Sequence, residues 1–427
     1  MARSKQQRYV PALSRLATVL LAAAVLLVAF SWTARAQTFQ VLHTFSGGDG
    51  KSPDAGLSMD RAGNLYGTTL EGGFSGNECA GNDGCGTVFE LAHQGAGWLL
   101  HPLYRFQGPP SDGASPLTRV IFGPDGALYG ATADGGSTAG NCAAGLDLPG
   151  CGTVFKLTPP ANFCRSFQCN WIERQLYAFS YSDGSAPRGE IAFDAVGNLY
   201  GTTSGGGAEA YGTAYELTPA SGAWTLTSLH SFTRGDDGDY PWGGVQLDSA
   251  GNVYGTTTGY GEGSGTVFQL LPSLSGWSLN NLYSFPAGGG SEPQAGVILD
   301  QAGNLYGSTC NGSQGSVIFE LSPSNGSWTY NTLYSFGSDS CPTANLAMDT
   351  TGNLYGTTAY GGTHSYGNVF KLTPSDGSWV YTDLHDFTGS GDGGHPYSNV
   401  VIDANGNLYG TASIGGSGNG VVWEITP

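Results

Sequence analysis

Residues 293–309 read PQAGVILD-QAG-NLYGST, and this stretch decides the fold. Pro293 to Asp300 is a mainly apolar run, Gln301-Ala302-Gly303 turns the chain, and Asn304 to Thr309 runs back. The pattern predicts a hairpin in which Asp300 caps the turn and Gly303 takes a positive φ. A third strand ends at Phe319-Glu320-Leu321, Ser322 to Gly326 makes the next turn, and Trp328 to Phe336 alternates as a fourth strand. A Gly-, Asp- and Pro-rich link then leads to Pro342, where the pattern restarts.

Outward from this unit the same string returns. Gly-Asn-Leu-Tyr-Gly or a near variant begins at Gly63, Gly126, Gly197, Gly251, Gly303, Gly352 and Gly406. The two widest spacings hold additional cysteine-bearing loops. Four antiparallel strands per unit and seven units without helices predict an all-β, seven-bladed β-propeller. A sandwich or a β-helix would also use many short strands, and the chain ends separate these architectures. Thr38 to Phe45 is an orphan fourth strand, whereas the last unit (Pro396 to Asp403, Asn407 to Thr411, Gly420 to Ile425) lacks one. The N-terminal strand is expected to complete the C-terminal blade, closing the ring and removing an exposed sheet edge.

The unit DG..P.AG...D..GNLYGTT..GG...GTVF.LTP resembles the Gloeo/Verruco (GloVer) tandem repeat of secreted bacterial proteins, over essentially all of 38–427. Its blade grammar is also similar to NHL-type propellers. The resemblance implies the fold and export; it implies no reaction. Members of that family differ in their anchors, and no C-terminal anchor is recognisable here.

The first 36 residues read as a signal peptide. Arg3, Lys5, Arg8 and Arg15 form a basic region, Leu16 to Phe30 is uncharged and mostly apolar, and Ala34-Arg35-Ala36 is a small-x-small cleavage pattern. The apolar run is short of the ~20 residues of a membrane span, and no cysteine follows it until Cys79, which argues against a lipoprotein. The expected mature domain is 37–427, secreted or periplasmic, monomeric and without a membrane span. Removing the segment would leave ten Lys and Arg against 33 Asp and Glu, a net charge of −23. Such a surface disfavours nucleic acid and anionic lipid and is compatible with neutral glycans, cations or cationic partners.

Eight cysteines in an exported chain should pair. Positions within the repeat predict Cys79–Cys85, Cys142–Cys151 and Cys164–Cys169 as local loop staples and Cys310–Cys341 as a link between adjacent blades. No CxxC or CxxH spacing suggests zinc. No Gly-x-Ser-x-Gly elbow is present, and the Gly-x-Gly stretches precede strands rather than helices, so nucleophile-elbow and phosphate-loop chemistry are disfavoured.

Function is sought where a blade breaks the repeat. The seven repeated tyrosines (Tyr66, Tyr129, Tyr200, Tyr254, Tyr306, Tyr355, Tyr409) read as packing between blades, and Trp98, Trp224, Trp277, Trp328 and Trp379 as structural. The recurring linker aspartates, such as Asp49, Asp112, Asp183, Asp237 and Asp392, read as Asx turns, with Ca²⁺ binding by such carboxylates as the sharper option. Counting from the proline that opens each innermost strand, the third residue is Gly56, Arg119, Glu190, Gly244, Gly296, Asn345 and Asn399. The first is Asp54, Leu117, Arg188, Trp242, Gln294, Thr343 and Tyr397. Both sets should ring a mouth of the central channel.

Arg119, Glu190, Trp242, Asn345, Tyr397 and Asn399 are therefore the candidate ligand-binding residues. Trp242, with Asp239-Tyr240-Pro241, and Tyr397, with His395-Pro396, suit stacking on sugar rings beside carboxylates. The expected role is a binding or scaffold module for an extracellular or periplasmic glycan, cell-envelope material or protein, with no cofactor. The alternative is a lactonase-like metal-dependent hydrolase or lyase. It would use Glu190, Asn345, Asn399 and Asp54 (or Asp392) as ligands, with an Asp or His395 as general base.

Overall fold

The computed structural model describes residues 37–73, 79, 83–95, 97–143, 145, 148–160, 171–259, 265–286, 292–310, 315–337 and 340–427; the expected signal segment and the Cys164–Cys169 bridge lie outside them. Phe39–Thr426 form one compact unit. It is an all-β propeller of seven four-stranded antiparallel blades. Blades 1 to 6 take their strands in chain order, from the innermost outward. Blade 7 is ordered Val401–Ile402, Leu408–Ala412, Val421–Thr426 and then Thr38–Thr44, so the N-terminal strand closes the ring.

The repeated letters are explained by contacts. In the second strand, the glycine of Leu-Tyr-Gly makes room for an aromatic ring of the third strand. A Cβ on Gly67, Gly130, Gly255, Gly307 or Gly356 would lie 2.5–2.6 Å from a phenylalanine Cζ. In blade 3 the ring is Tyr215 and in blade 7 it is Trp423, both fully buried. In every blade but the second, where it is Ala131, the residue that follows is a threonine or serine that reaches the next blade. Thr202 Oγ1 donates to Gly243 O at 3.1 Å, Thr256 to Ala295 O at 2.7 Å, Thr357 to Ser398 O at 2.8 Å and Thr411 to Pro53 O at 2.6 Å. The second threonine pairs inside its own blade, as in Thr69–Thr87, Thr132–Thr153, Thr203–Thr213 and Thr257–Thr266, all 2.8 Å. Around these bonds each seam holds an apolar cluster drawn from two blades.

The tyrosines do pack between blades. Trp98, Trp224, Trp277, Trp328 and Trp379, at the start of fourth strands, each meet the tyrosine of the preceding blade edge-on at 6.1–6.4 Å. Their hydroxyls add a role the sequence reading lacked. Tyr306 Oη reaches Asp300 Oδ2 at 3.2 Å and Glu320 Oε1 at 3.1 Å. Asp300 Oδ1 also accepts the amides of Ala302 and Asn304, both at 2.8 Å, so one carboxylate fixes hairpin turn and strand together. Blade 2 has Gly123 at the aspartate position, and Asp125 substitutes: it accepts Tyr129 Oη at 3.1 Å and pairs with Lys156.

The linker aspartates cap turns as expected and are also held by the preceding fourth strand. That partner is His43 for Asp49 (3.0 Å), His230 for Asp237 (2.8 Å) and His385 for Asp392 (3.2 Å). Tyr104 serves Asp112 (2.9 Å) and Tyr177 serves Asp183 (2.6 Å) in the same way. Two details differ from the sequence reading. The third strand of blade 5 extends over Val317–Ser324, so Pro323 lies within the ladder opposite Trp328 and the turn is only Asn325-Gly326. A short 3-10 turn, Gly140–Ala143, is present in a loop of blade 2.

Cys79–Cys85 and Cys142–Cys151 staple single loops, and Cys310–Cys341 joins blade 5 to the link that opens blade 6. Disulfides of this kind persist in oxidising compartments. Among the described residues no helix is long and apolar enough to cross a membrane.

Two outcomes follow from these contacts. Thr411→Val leaves two carbonyl acceptors of blade 1 without their buried donor and should destabilise the protein by about 1–3 kcal/mol in denaturant unfolding. At Asp349, partial burial raises the carboxyl, but hydrogen bonds from Asn353 and Thr351 outweigh it and hold the pKa at about 2. A depressed carboxyl stabilises the fold above its unfolded value near 4 and loses that contribution as pH falls toward 2. Asp349→Asn should therefore flatten the acid limb of a melting-temperature profile between those pH values.

Candidate functional site

Each innermost strand opens at a proline and runs down the ring axis. Every first- and third-position residue except Gly296 lines a single central cavity. Arg119, Glu190, Trp242, Asn345, Tyr397, Asn399 and Asp54 are thus brought together, although they come from six different blades.

The cavity is small, about 80 Å³. Its third-position ring is filled by complementary shapes. A Cβ on Gly56 would fall 1.6 Å from Asn399 Oδ1, so the asparagine amide occupies the space that glycine leaves free. Gly244 is crowded in the same way by Glu190 Cβ at 2.7 Å. Gly296 N–H donates to Asn345 Oδ1 at 2.7 Å. Arg119 Nη2 meets Glu190 Oε2 at 2.8 Å across the seam of blades 2 and 3. The departures from glycine are steric partners of the glycines that remain, and together they plug the channel.

Above the plug, the Arg188 guanidinium lies 5.0 Å from the Trp242 ring centroid. Tyr397 Oη meets Tyr360 Oη at 2.5 Å. Burial, and then the hydrogen bond with Tyr360, raise the Tyr397 phenol above its ordinary value. Asp54 Oδ1, Arg119 Nε, Thr343 Oγ1 and Asn399 Oδ1 are buried without a hydrogen-bond partner among the described residues. A polar cavity of this size suits ordered water, but it is far below the ~300–1,000 Å³ of a typical small-molecule pocket.

A cation in this cavity would have to use Glu190, Asn345, Asn399 and Asp54. Glu190 is taken by Arg119, and Asn345 Oδ1 by the Gly296 amide. Two guanidinium groups, Arg119 and Arg188, share the same walls. Among the described residues no three His, Cys, Asp or Glu side chains converge. Asp392, the other ligand considered, is held by His385. His395 Nδ1 sits 2.8 Å from Ala359 O, a backbone partner that would fix its ring. The donor set does not fit a Ca²⁺ ion, which takes six to eight oxygens.

On the opposite face, the hairpin turns of blades 7 and 1, with Arg119 and Phe122 of blade 2, frame a hollow of about 630 Å³. Its carboxylates are already engaged: Asp60 accepts the amides of Ala62 and Asn64, and Asp403 those of Asn405 and Asn407.

The Gloeobacter/Verrucomicrobia repeat matches residues 28–163, 138–341 and 282–427. No curated protein matches the chain by sequence. Among solved structures, the extracellular domain of a proposed one-component system from B. thetaiotaomicron aligns at 12% identity with a TM-score of 0.55. The alignment covers 90% of this chain and 39% of that one. A proposed 6-phosphogluconolactonase from Bacteroides uniformis aligns at 16% identity over 77% of this chain and 85% of that one, with a TM-score of 0.47. At these identities the likeness to the first is one of fold, and the second carries no functional argument.

Asp54 yields a sharp test. Burial first, and then the Glu71 charge, push its carboxyl up to about 7. A raised carboxyl makes the folded state bind the extra proton, so stability falls as pH climbs from about 4 through 7. Asp54→Asn should raise the melting temperature at pH 8, where the wild-type carboxylate is ionised, and change it little at pH 4.

Proposed function

This chain belongs to the Gloeobacter/Verrucomicrobia repeat family, and from that premise we propose that it is an exported binding or scaffold module rather than an enzyme. The single observation behind this reading is the plugged channel. Catalysis on a small molecule needs a concave pocket with convergent polar groups, and the cavity at the axis encloses about 80 Å³. A flat ligand would instead bind across the loops around the axis. There, the rings of Trp242 and Tyr397 and the carboxyl of Asp54 line one cavity. The ligand class proposed is glycan or cell-envelope material. Aromatic faces complement the CH face of a sugar ring, and the acidic surface favours neutral polymers. Export to the periplasm or beyond fits the cysteine pairing and the basic–apolar N-terminal segment.

The test is co-sedimentation of the purified full chain with insoluble envelope polysaccharide, beside a lactone-hydrolysis assay run with and without Ca²⁺. Retention without turnover is expected, and Trp242→Ala should weaken retention by about tenfold, the size of one lost stacking contact. Chelator-sensitive lactone hydrolysis that Glu190→Ala abolishes would contradict the reading.

A further inference from the structure

Two seams of the ring carry rings at matching places. At the seam of blades 3 and 4 these are Tyr211, Tyr240 and Trp242; three blades on, at the seam of blades 6 and 7, they are Tyr366, His395 and Tyr397. Tyr240 and His395 both precede the blade-opening proline in left-handed backbone, with φ of 49° and 51°. Ser52, Ser115 and Ala186 share that backbone at φ 52–56°. Five of the seven blades thus share this backbone, and only these two use it to present a ring.

The seams differ in what covers the rings. At blades 3 and 4 the protein supplies cations: Arg188 lies over Trp242 at 5.0 Å and Arg234 over Tyr211 at 5.6 Å. At blades 6 and 7 the corresponding positions are Thr343 and Gly389, and neither 359–367 nor 388–399 contains Lys or Arg. Tyr366 lies against Gly389 and is 37% exposed. Tyr360, 43% exposed, adds a further ring. His395 sits at the centre, with centroids 4.9 Å from Tyr360, 5.4 Å from Tyr366 and 6.5 Å from Tyr397. Two carboxyl groups lie near the platform. Asp54 shares a cavity wall with Tyr397, and Asp386 holds the Thr363 amide at 3.2 Å. Aromatic faces attract cations, and a planar guanidinium also stacks on them.

We propose that Tyr360, Tyr366, His395 and Tyr397, at the seam of blades 6 and 7, form a binding site for a guanidinium-type organic cation, as carried by an arginine side chain of a partner. The partner's arginine would take the place that Arg188 and Arg234 fill internally at the sister seam. The chain's net charge of −18 would steer such a group toward it. This site shares Tyr397 with the proposed glycan surface but takes a different ligand at a different seam from Trp242, and the cellopentaose arm of the titration separates failure of one reading from failure of the other.

The experiment is an NMR titration of the full chain, with labelled tyrosines, against N-acetyl-arginine amide, its uncharged citrulline counterpart and cellopentaose. The arginine probe should bind about tenfold tighter than the citrulline probe, as expected for a partly desolvated cation–π contact. The double variant Tyr360→Leu/Tyr366→Leu should lose that preference, and Tyr211→Leu should keep it. Should the double variant melt early, Thr343→Arg, which installs the equivalent of Arg188, should block the arginine probe instead. Equal binding of the two amides, or a preference that survives both variants, overturns the site. Shifts of these tyrosines by cellopentaose and not by arginine would assign the platform to sugar and likewise overturn it.

Discussion

A hydroxyl-to-carbonyl bond at six of the seven seams organises this molecule; only blade 2, with Ala131 at that place, lacks the hydroxyl. The first hydroxyl after Leu-Tyr-Gly leaves its own blade and binds a carbonyl of the next innermost strand, as Thr357 does to Ser398 and Thr411 to Pro53. Beside it, the preceding glycine leaves room for an aromatic ring of the third strand. Neighbouring blades thus share hydrogen bonds as well as apolar area, and a buried donor left unpaired costs more than a lost contact. The same constraint requires a closed ring, since each blade satisfies polar groups of its neighbour. The N-terminal strand, docked beside Val421–Thr426, completes the last blade.

The motif residues are therefore spent on architecture, including some that looked free for chemistry. In blades 1, 3, 5 and 7 the tyrosine hydroxyl ties the hairpin aspartate to a third-strand carboxylate, and the linker aspartates are held by a histidine or tyrosine of the strand before. Even the residues that break the repeat at the axis have a structural account: Asn399 overlies Gly56, Glu190 crowds Gly244, and Arg119 neutralises Glu190. On the proposed function, recognition falls to the loops around that axis.

The fold was legible because its signal repeats. Seven copies of Gly-Asn-Leu-Tyr-Gly or a near variant, an orphan fourth strand at the N-terminus and a last unit that lacks one suffice to write down a closed ring of seven blades. Counting one and three residues from each proline also placed Asp54, Arg119, Glu190, Trp242, Asn345, Tyr397 and Asn399 around one cavity. The plug was not legible, because it depends on which side chain leans over which neighbouring glycine, and spacing along the chain carries no such information. Nor was the sister relation of Trp242 and Tyr397. It emerges only when Arg188 is seen over one ring and Thr343 found at the matching place beside the other. Pro323 was assigned to a turn on propensity, yet it sits in the ladder opposite Trp328, near the hairpin end of the sheet, where a missing amide costs least.

The central claim is that recognition belongs to the loops around a closed axis. Hydrogen–deuterium exchange of the full chain, with and without isolated cell-envelope material, tests it most directly. The account predicts slowed exchange confined to the loops 204–212, 233–244, 359–367 and 388–399, with the hairpin turns that begin at Asp60, Asp300 and Asp403 unchanged. Protection in those turns on the opposite face, or no protection anywhere, would contradict it.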